Sequence, residues 1–344
     1  MKGPKTRRFN VGFLANLKLL AVVFTLLIFF VFKIVLTLQV YVLLVIVLIG
    51  YVAHRHIYTR KPSAIQSHDN PKDFGKTKNS INVCIVGSGF SGICMAVGLK
   101  KANISFTMFE KSANIGGTWF DNKYPGCACD VWTPLYQFSF YRNPDWSQFV
   151  APASEIQSYL RNAVKMFGLE KHISLTTEVK RAKWQEDIKS WSVRTNKDEE
   201  DLIFTHIVSG CGALRSPLFP TIPGMESFQG TSFHSQQWDT EYNYKGKRVG
   251  IIGSAASAVQ IAPAIADDVE ELYIFQRTLN WHVQKVNPVY PRWLKTIFRL
   301  FPFIMWVMQT FCFHLLEFNR ILMFRTGLVS SILQVKHYLP FDKF

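Results

Sequence analysis

Gly87-Ser88-Gly89-Phe90-Ser91-Gly92 stands between a short β-rich apolar run, residues 81–86, and a helical pattern, ICMAVGLKKA. Residues of these types at this spacing can hold phosphate. Gly87 permits a tight turn, Gly89 lets the backbone approach a pyrophosphate, and Gly92 lets a helix pack close to the strand with its N-terminal amides facing the anion. The next β-rich run, residues 104–109, ends in Glu110, whose carboxylate can accept hydrogen bonds from both hydroxyls of an adenosine ribose. A glycine triplet alone is weak evidence. Together with the strand, the helix and the acid it predicts a dinucleotide site on a parallel β-α-β unit, with Phe90 and Ser91 at the turn.

A weaker copy of this arrangement follows later. Residues 247–253 read as a strand, then come Gly253-Ser254-Ala255-Ala256-Ser257-Ala258 and the helical AVQIAPAIA. Ala255 adds a methyl group where a backbone would meet a pyrophosphate, so phosphate contact there is expected to be looser. The helix N-terminus and the hydroxyls of Ser254 and Ser257 remain available. The following strand ends at Gln276-Arg277 without a carboxylate. A fixed cation at that place favours a 2′-phosphate, hence NADPH over NADH.

The stretch KSANIGGTWFDNKYPGCACD, Lys111 to Asp130, resembles the FAD-binding segment of class B flavoprotein monooxygenases, in particular Baeyer–Villiger monooxygenases. Gly116, Gly117, Thr118, Trp119, Asn122, Tyr124, Pro125, Gly126 and Asp130 carry the match, and Tyr136 with Ser139 and Phe140 fits the family's next motif. Phe228, Gly230, His234, Trp238 and Asp239 fill every fixed position of the fingerprint FxGxxxHxxxW[P/D], whose Trp and Pro/Asp are lacking in the sister N- and S-oxygenating enzymes. The resemblance implies that the residues from Lys111 to Tyr136 wrap FAD and that Arg277 is the catalytic arginine, paired to Asp130. It implies that His234 couples domain movement to catalysis. It implies, too, that NADPH reduces FAD, that O2 is trapped as a C4a-peroxyflavin, and that a ketone is converted to an ester or lactone, with Arg277 stabilising the peroxyanion. Cys127-Ala128-Cys129 lacks the two-residue spacer of a redox dithiol, and no metal site is expected.

The elements that must position these residues define an α/β fold with two Rossmann-like dinucleotide-binding domains, FAD then NADP. The FAD domain is expected over residues 81–220 with an antiparallel insertion at 173–212, a fingerprint linker over 221–245, the NADP domain over 246–295, and an aromatic-rich helical segment over 296–344. Residues 1–61 hold nine basic residues and no acid, and residues 277–344 hold nine basic and two acidic, so the excess of 39 Lys+Arg over 24 Asp+Glu sits in two apolar ends. That distribution argues against a nucleic-acid partner.

The run from Leu19 to Ala53 reads as a transmembrane anchor, with one span or two, inside a domain 1–53; residues 54–80 form a polar linker. The expectation is a single-pass membrane protein, with the endoplasmic reticulum as a candidate organelle, a cytosolic catalytic body, and lipid, O2 and a ketone or other lipophilic small molecule as partners. Only 67 residues follow Arg277, fewer than the family's fold uses, so the chain reads as truncated. Two alternatives stay open, an N- or S-oxygenating enzyme and a non-catalytic, membrane-tethered nucleotide-binding protein.

Overall fold

A computed structural model describes residues 81–214, 216–278 and 285–324, with side chains described to residue 318. The expected anchor and linker, residues 1–80, lie outside the described residues. The elements discussed below lie in one compact unit, residues 62–300 with 304–344, apart from the first residues of the last helix.

The first Gly-rich turn joins β1 (Asn82–Val86) to α1 (Phe90–Lys101), and β2 (Ser105–Phe109) returns parallel to β1, with Val83 opposite Phe106 and Val86 opposite Phe109. β-Branched and apolar residues on both faces suit a strand covered on both sides. The remaining elements of this half are α2 (Thr118–Asp121), α3 (Ala153–Met166), β3 (Ile173–Ser174) and β7 (His206–Ser209). The sheet runs β3-β2-β1-β7, all parallel. The stretch from residue 173, expected to open the antiparallel insertion, supplies only the two-residue parallel strand β3. Thr176 adopts φ +53°, and the amides of Thr176 and Thr177 donate to the carbonyls of Ser112 and Glu110, which turns the chain away from the ladder.

Strands β4 (Val179–Gln185), β5 (Ser190–Thr195) and β6 (Leu202–Phe204) form an antiparallel sheet, the middle of the insertion expected over 173–212; the two ends of that stretch, β3 and β7, pair parallel in the main sheet instead. The main core lies between the parallel sheet and α1 and α3, with Ile85, Ile93, Met108, Ile156 and Leu160 nearly inaccessible to solvent. Burial of side chains of this size contributes roughly 1.5–3 kcal/mol each.

The second half is a smaller β-α-β unit: β8 (Arg248–Ile252), α4 (Ala256–Ile265) and β9 (Glu271–Phe275), the strands parallel with Arg248 opposite Glu271. Ile261 and Ile265 of α4 form a separate small core with Tyr124 of the first half, joined by Trp238 and Tyr244. Helices α5 (Arg292–Leu300) and α6 (Pro302–Phe324) occupy the start of the expected aromatic-rich segment. Among the described residues no single helix is long and apolar enough to cross a membrane; α5 and the first part of α6 pass that test only as a bent pair, by length and composition.

Candidate dinucleotide site

The parallel sheet places the Gly-rich turn and Glu110 side by side at its C-terminal edge. Gly87 has φ +100°, and a Cβ there would meet the carbonyl oxygen of Gly210 at 2.6 Å, so the turn after β1 and the end of β7 touch backbone to backbone. Under Gly92 a Cβ would stand 1.9 Å from the Gly87 oxygen, which is why α1 can begin directly against the turn. Glu110 is 1% exposed. Its Oε2 accepts from the backbone N–H of Ser88 at 2.8 Å and from the Ser88 hydroxyl at 2.7 Å, and its Oε1 accepts from the Ser112 amide at 2.7 Å. These donors satisfy a carboxylate that burial removes from water.

Beside this turn lies an open cleft. Gly87, Gly89, Phe90, Ser91 and Glu110 line one side, and Gly117, Thr118, Trp119 and Tyr136 line another. The Trp119 indole N–H donates to the Tyr136 hydroxyl at 3.2 Å, and Phe90 meets Tyr136 edge-on with ring centroids 5.0 Å apart. Burial, partly offset by the Trp119 bond, pushes the Tyr136 phenol above its ordinary range. Gly116 lines the cleft as well, next to Gly117; lining residues that the sequence did not single out are Ser88, Asp121, Gly210, Cys211, Gly212, Leu214 and Gln236. Ser88 sits inside the glycine motif and was legible there. Asp121 ends α2, in the same stretch as Gly117 and Trp119, and the rest arrive beyond β7 and through the linker, from chain distances that no local pattern records.

The cleft fits a dinucleotide. A Cβ on Gly89 would meet only the Gly117 Cα at 3.9 Å, so the floor is bare backbone, with the N-terminus of α1 aimed across it and a buried carboxylate at the ribose end.

Not every expected residue joins this cleft. Gly92 lies beneath it as a packing contact, and Lys111 faces Glu178, Nζ to Oε1 3.6 Å, with over half its side chain exposed. The expected Asp130–Arg277 pair is not formed. Asp130 is engaged by Gln260, whose Nε2 donates to Oδ1 at 2.9 Å, and Arg277 is exposed just beyond β9, with no ion pair to Asp130 among the described residues. Reach decides this: Gln260, on the second turn of α4, already faces the loop that carries Asp130.

At the second turn Gly253 has φ +111°, Ala255 is extended and precedes α4, and Ala256 opens the helix, with Ser254 and Ser257 half-buried beside them. Gln276 follows β9 and is exposed like Arg277. In the fingerprint the His234 Nδ1 accepts from the Gln236 amide at 3.1 Å, capping the short 3-10 turn Ser235–Gln237. Trp238 packs edge-on to Phe233 and Tyr244, Asp239 Oδ1 accepts from the Glu241 amide at 3.0 Å, and Gly230 lies against the ring of the exposed Phe228.

Residues 80–321 match the FMO-like family, described as flavin-binding monooxygenase-like, and the chain belongs to that family. A Baeyer-Villiger monooxygenase of Pseudomonas aeruginosa is 40% identical over 238 residues, 68% of this chain and 45% of that protein. One from Streptomyces coelicolor is 41% identical over 208 residues, 60% of this chain and 40% of that protein. The crystal structure of ε-caprolactone-bound cyclohexanone monooxygenase in its Loose conformation is similar with a TM-score of 0.60 at 30% identity, over 64% of this chain and 44% of that one. OTEMO in complex with FAD and NADP is similar with a TM-score of 0.59 at 31% identity, over 64% of this chain and 44% of that one. The α/β fold with its parallel sheets is thus that of Baeyer–Villiger monooxygenases, and the chain spans less than half the length of these relatives.

Proposed function

We propose that this chain is the FAD-holding part, and a portion of the NADPH-holding part, of a Baeyer–Villiger-type monooxygenase. In the net reaction one atom of O2 enters the bond between a ketone's carbonyl and its neighbouring carbon, giving an ester or lactone. The other atom leaves as water with the two electrons of NADPH. The observation that carries this reading is the meeting of two independent motifs at one cleft: the Gly-rich turn with buried Glu110, and the fingerprint turn whose Gln236 borders the same space. Relatives named as Baeyer-Villiger monooxygenases, and structures holding FAD and NADP, support it.

Bound FAD would supply hydride acceptance and the activation of O2. The chain's own residues do the holding. The amides at the start of α1 face a pyrophosphate, Glu110 accepts from a ribose, and Gly89 and Gly117 keep the floor free of side chains. Trp119 and Tyr136, hydrogen-bonded to one another, wall the far side and exclude water. Arg277 cannot lose its proton, so its guanidinium can offset anionic charge without taking part in proton transfer; Asp130 is the carboxylate held ready near α4. The second turn with Arg277 would take the 2′-phosphate of NADPH. Membrane attachment through the apolar run at 19–53, with a lipophilic ketone as substrate, completes the reading.

Purified full-length protein should be yellow, retain FAD, and consume NADPH in step with ester formation from a supplied ketone, followed by mass spectrometry. Arg277→Ala should retain FAD and lose the ketone-dependent turnover. A folded protein that takes up no FAD would overturn the reading.

A further inference from the structure

Gln260 makes contacts that none of the roles above requires. Its carboxamide uses both donors and both acceptor positions on one short segment of the first half, residues 124–130. Nε2 donates to the Ala128 carbonyl at 3.0 Å and to Asp130 Oδ1 at 2.9 Å; Oε1 accepts from the Ala128 amide at 3.1 Å and from the Tyr124 hydroxyl at 3.3 Å. The backbone is engaged at the same place. Gly126 has φ +76°, and a Cβ there would lie 2.5 Å from the Gln260 carbonyl oxygen, so this segment and α4 touch with no room for a side chain. Tyr124 completes the seam by entering the small core of Ile261 and Ile265.

The geometry points to Gln260 as a positioning residue for Asp130: it fixes the carboxylate and fastens its loop to the helix that follows the second nucleotide turn. This rests on the role proposed for Asp130 above. The groups facing the seam are Asp130, Tyr124, Cys127, Cys129 and, from the segment before α5, Lys285, whose Nζ donates to the Cys129 carbonyl at 3.3 Å. Cys127 and Cys129 flank the residue that Gln260 grips, and burial holds both thiols above their ordinary range. They are therefore slow to react while the loop is closed.

The test is a pulse of N-ethylmaleimide on the intact full-length chain, with each cysteine's labelling mapped by mass spectrometry and referred to exposed Cys94. Gln260→Leu should raise the labelling of Cys127 and Cys129 about tenfold, the size expected when one to two net hydrogen bonds are lost. Gln260→Glu places a second carboxylate against Asp130. Two facing carboxylates share a proton at low pH and repel at high pH, so labelling relative to Gln260→Leu should climb between about pH 5 and 8. Adding Asp130→Asn to Gln260→Glu should return labelling part of the way to the parent, because the introduced amide donates to the introduced carboxylate while the Ala128 carbonyl, which Gln260 Nε2 serves in the parent, keeps no donor from residue 260.

Labelling of Gln260→Leu within twofold of the parent, a flat pH ratio, or no rescue in the double variant would each overturn the assignment. So would parallel labelling of Cys84, buried in a different core, because Gln260 would then support the whole fold and not Asp130. None of these readouts needs a cofactor. The flavin content of the same parent protein tests the monooxygenase reading separately.

Discussion

Glu110 holds Ser88 at two atoms, accepting from its backbone N–H at 2.8 Å and from its hydroxyl at 2.7 Å. The residue just after the second parallel strand is thereby tied into the Gly-rich turn after the first. Ser88 is fully buried and Glu110 is 1% exposed, so the tie is shielded from water. The same carboxylate borders the cleft, so the side chain that braces the turn is also the one proposed to accept from a ribose.

Glu110→Ala should therefore cost stability and cofactor together. It strands the two Ser88 donors in a buried site, at about 1–3 kcal/mol for each unsatisfied group, and frees the half-buried Ser112 amide. Urea unfolding of the apoprotein should show the loss, and FAD dissociation, followed by flavin fluorescence, should be at least about tenfold faster.

Gly89→Ala and Gly92→Ala should part company. A methyl group on Gly89 meets only the Gly117 Cα at 3.9 Å, whereas one on Gly92 meets the Gly87 oxygen at 1.9 Å. Gly92→Ala should destabilise the apoprotein by about 2 kcal/mol or more, the upper range for overpacking. Gly89→Ala should leave apoprotein stability within about 0.5 kcal/mol and still weaken FAD retention, because the added methyl group projects into the space a pyrophosphate would use. Equal loss of stability in the two variants would contradict the assigned geometry.

How far the sequence disclosed this arrangement depended on chain distance. The turn from Gly87 to Gly92, the strands around it and Glu110 were legible because a glycine-rich turn, a strand and a helix within 30 residues leave little topological choice. The antiparallel insertion was legible only in its middle: a run of strands was expected between the two halves, but the first and last of them, β3 and β7, belong to the parallel sheet. The Asp130–Arg277 pair was carried over from a resemblance, and the structure gives Asp130 to Gln260 instead, through a contact between residues 130 positions apart that no periodicity records. Lys111 sits next to Glu110 yet points to Glu178, away from the cleft that Glu110 lines, since consecutive residues leaving a strand face opposite ways.

Stability should fall in alkali. Burial, with a smaller push from nearby Cys211, raises the Cys84 thiol from 9.0 to about 12, and burial raises the Tyr124 and Tyr290 phenols to about 12. All three are neutral when protonated, and folding favours that form. Their contribution is therefore fully present below the unfolded values and is lost as pH rises from about 9 toward 12. Urea midpoints measured at pH 8, 10 and 11 should decline, while changes below pH 8 owe nothing to these groups. Cys84→Ala should lower the midpoint at pH 8 but flatten the first part of the decline, between pH 9 and 10, where the thiol begins to titrate in the unfolded chain.

His234 should act through a cap. Its Nδ1 accepts from the Gln236 amide at 3.1 Å and so fixes the turn that brings Gln236 to the edge of the cleft. His234→Ala removes the acceptor and should cost about 1 kcal/mol locally, the usual cost of losing an N-cap. The expected reading is faster hydrogen exchange at residues 235–237 and severalfold faster FAD release, with the core of the parallel sheet unchanged. His234→Asn supplies a side-chain oxygen of the kind that caps short turns, and it should recover most of the protection. If His234→Ala and His234→Asn were equally impaired in both measurements, the imidazole would be acting through some contact other than the Gln236 amide. The capping account of the fingerprint histidine would then fail.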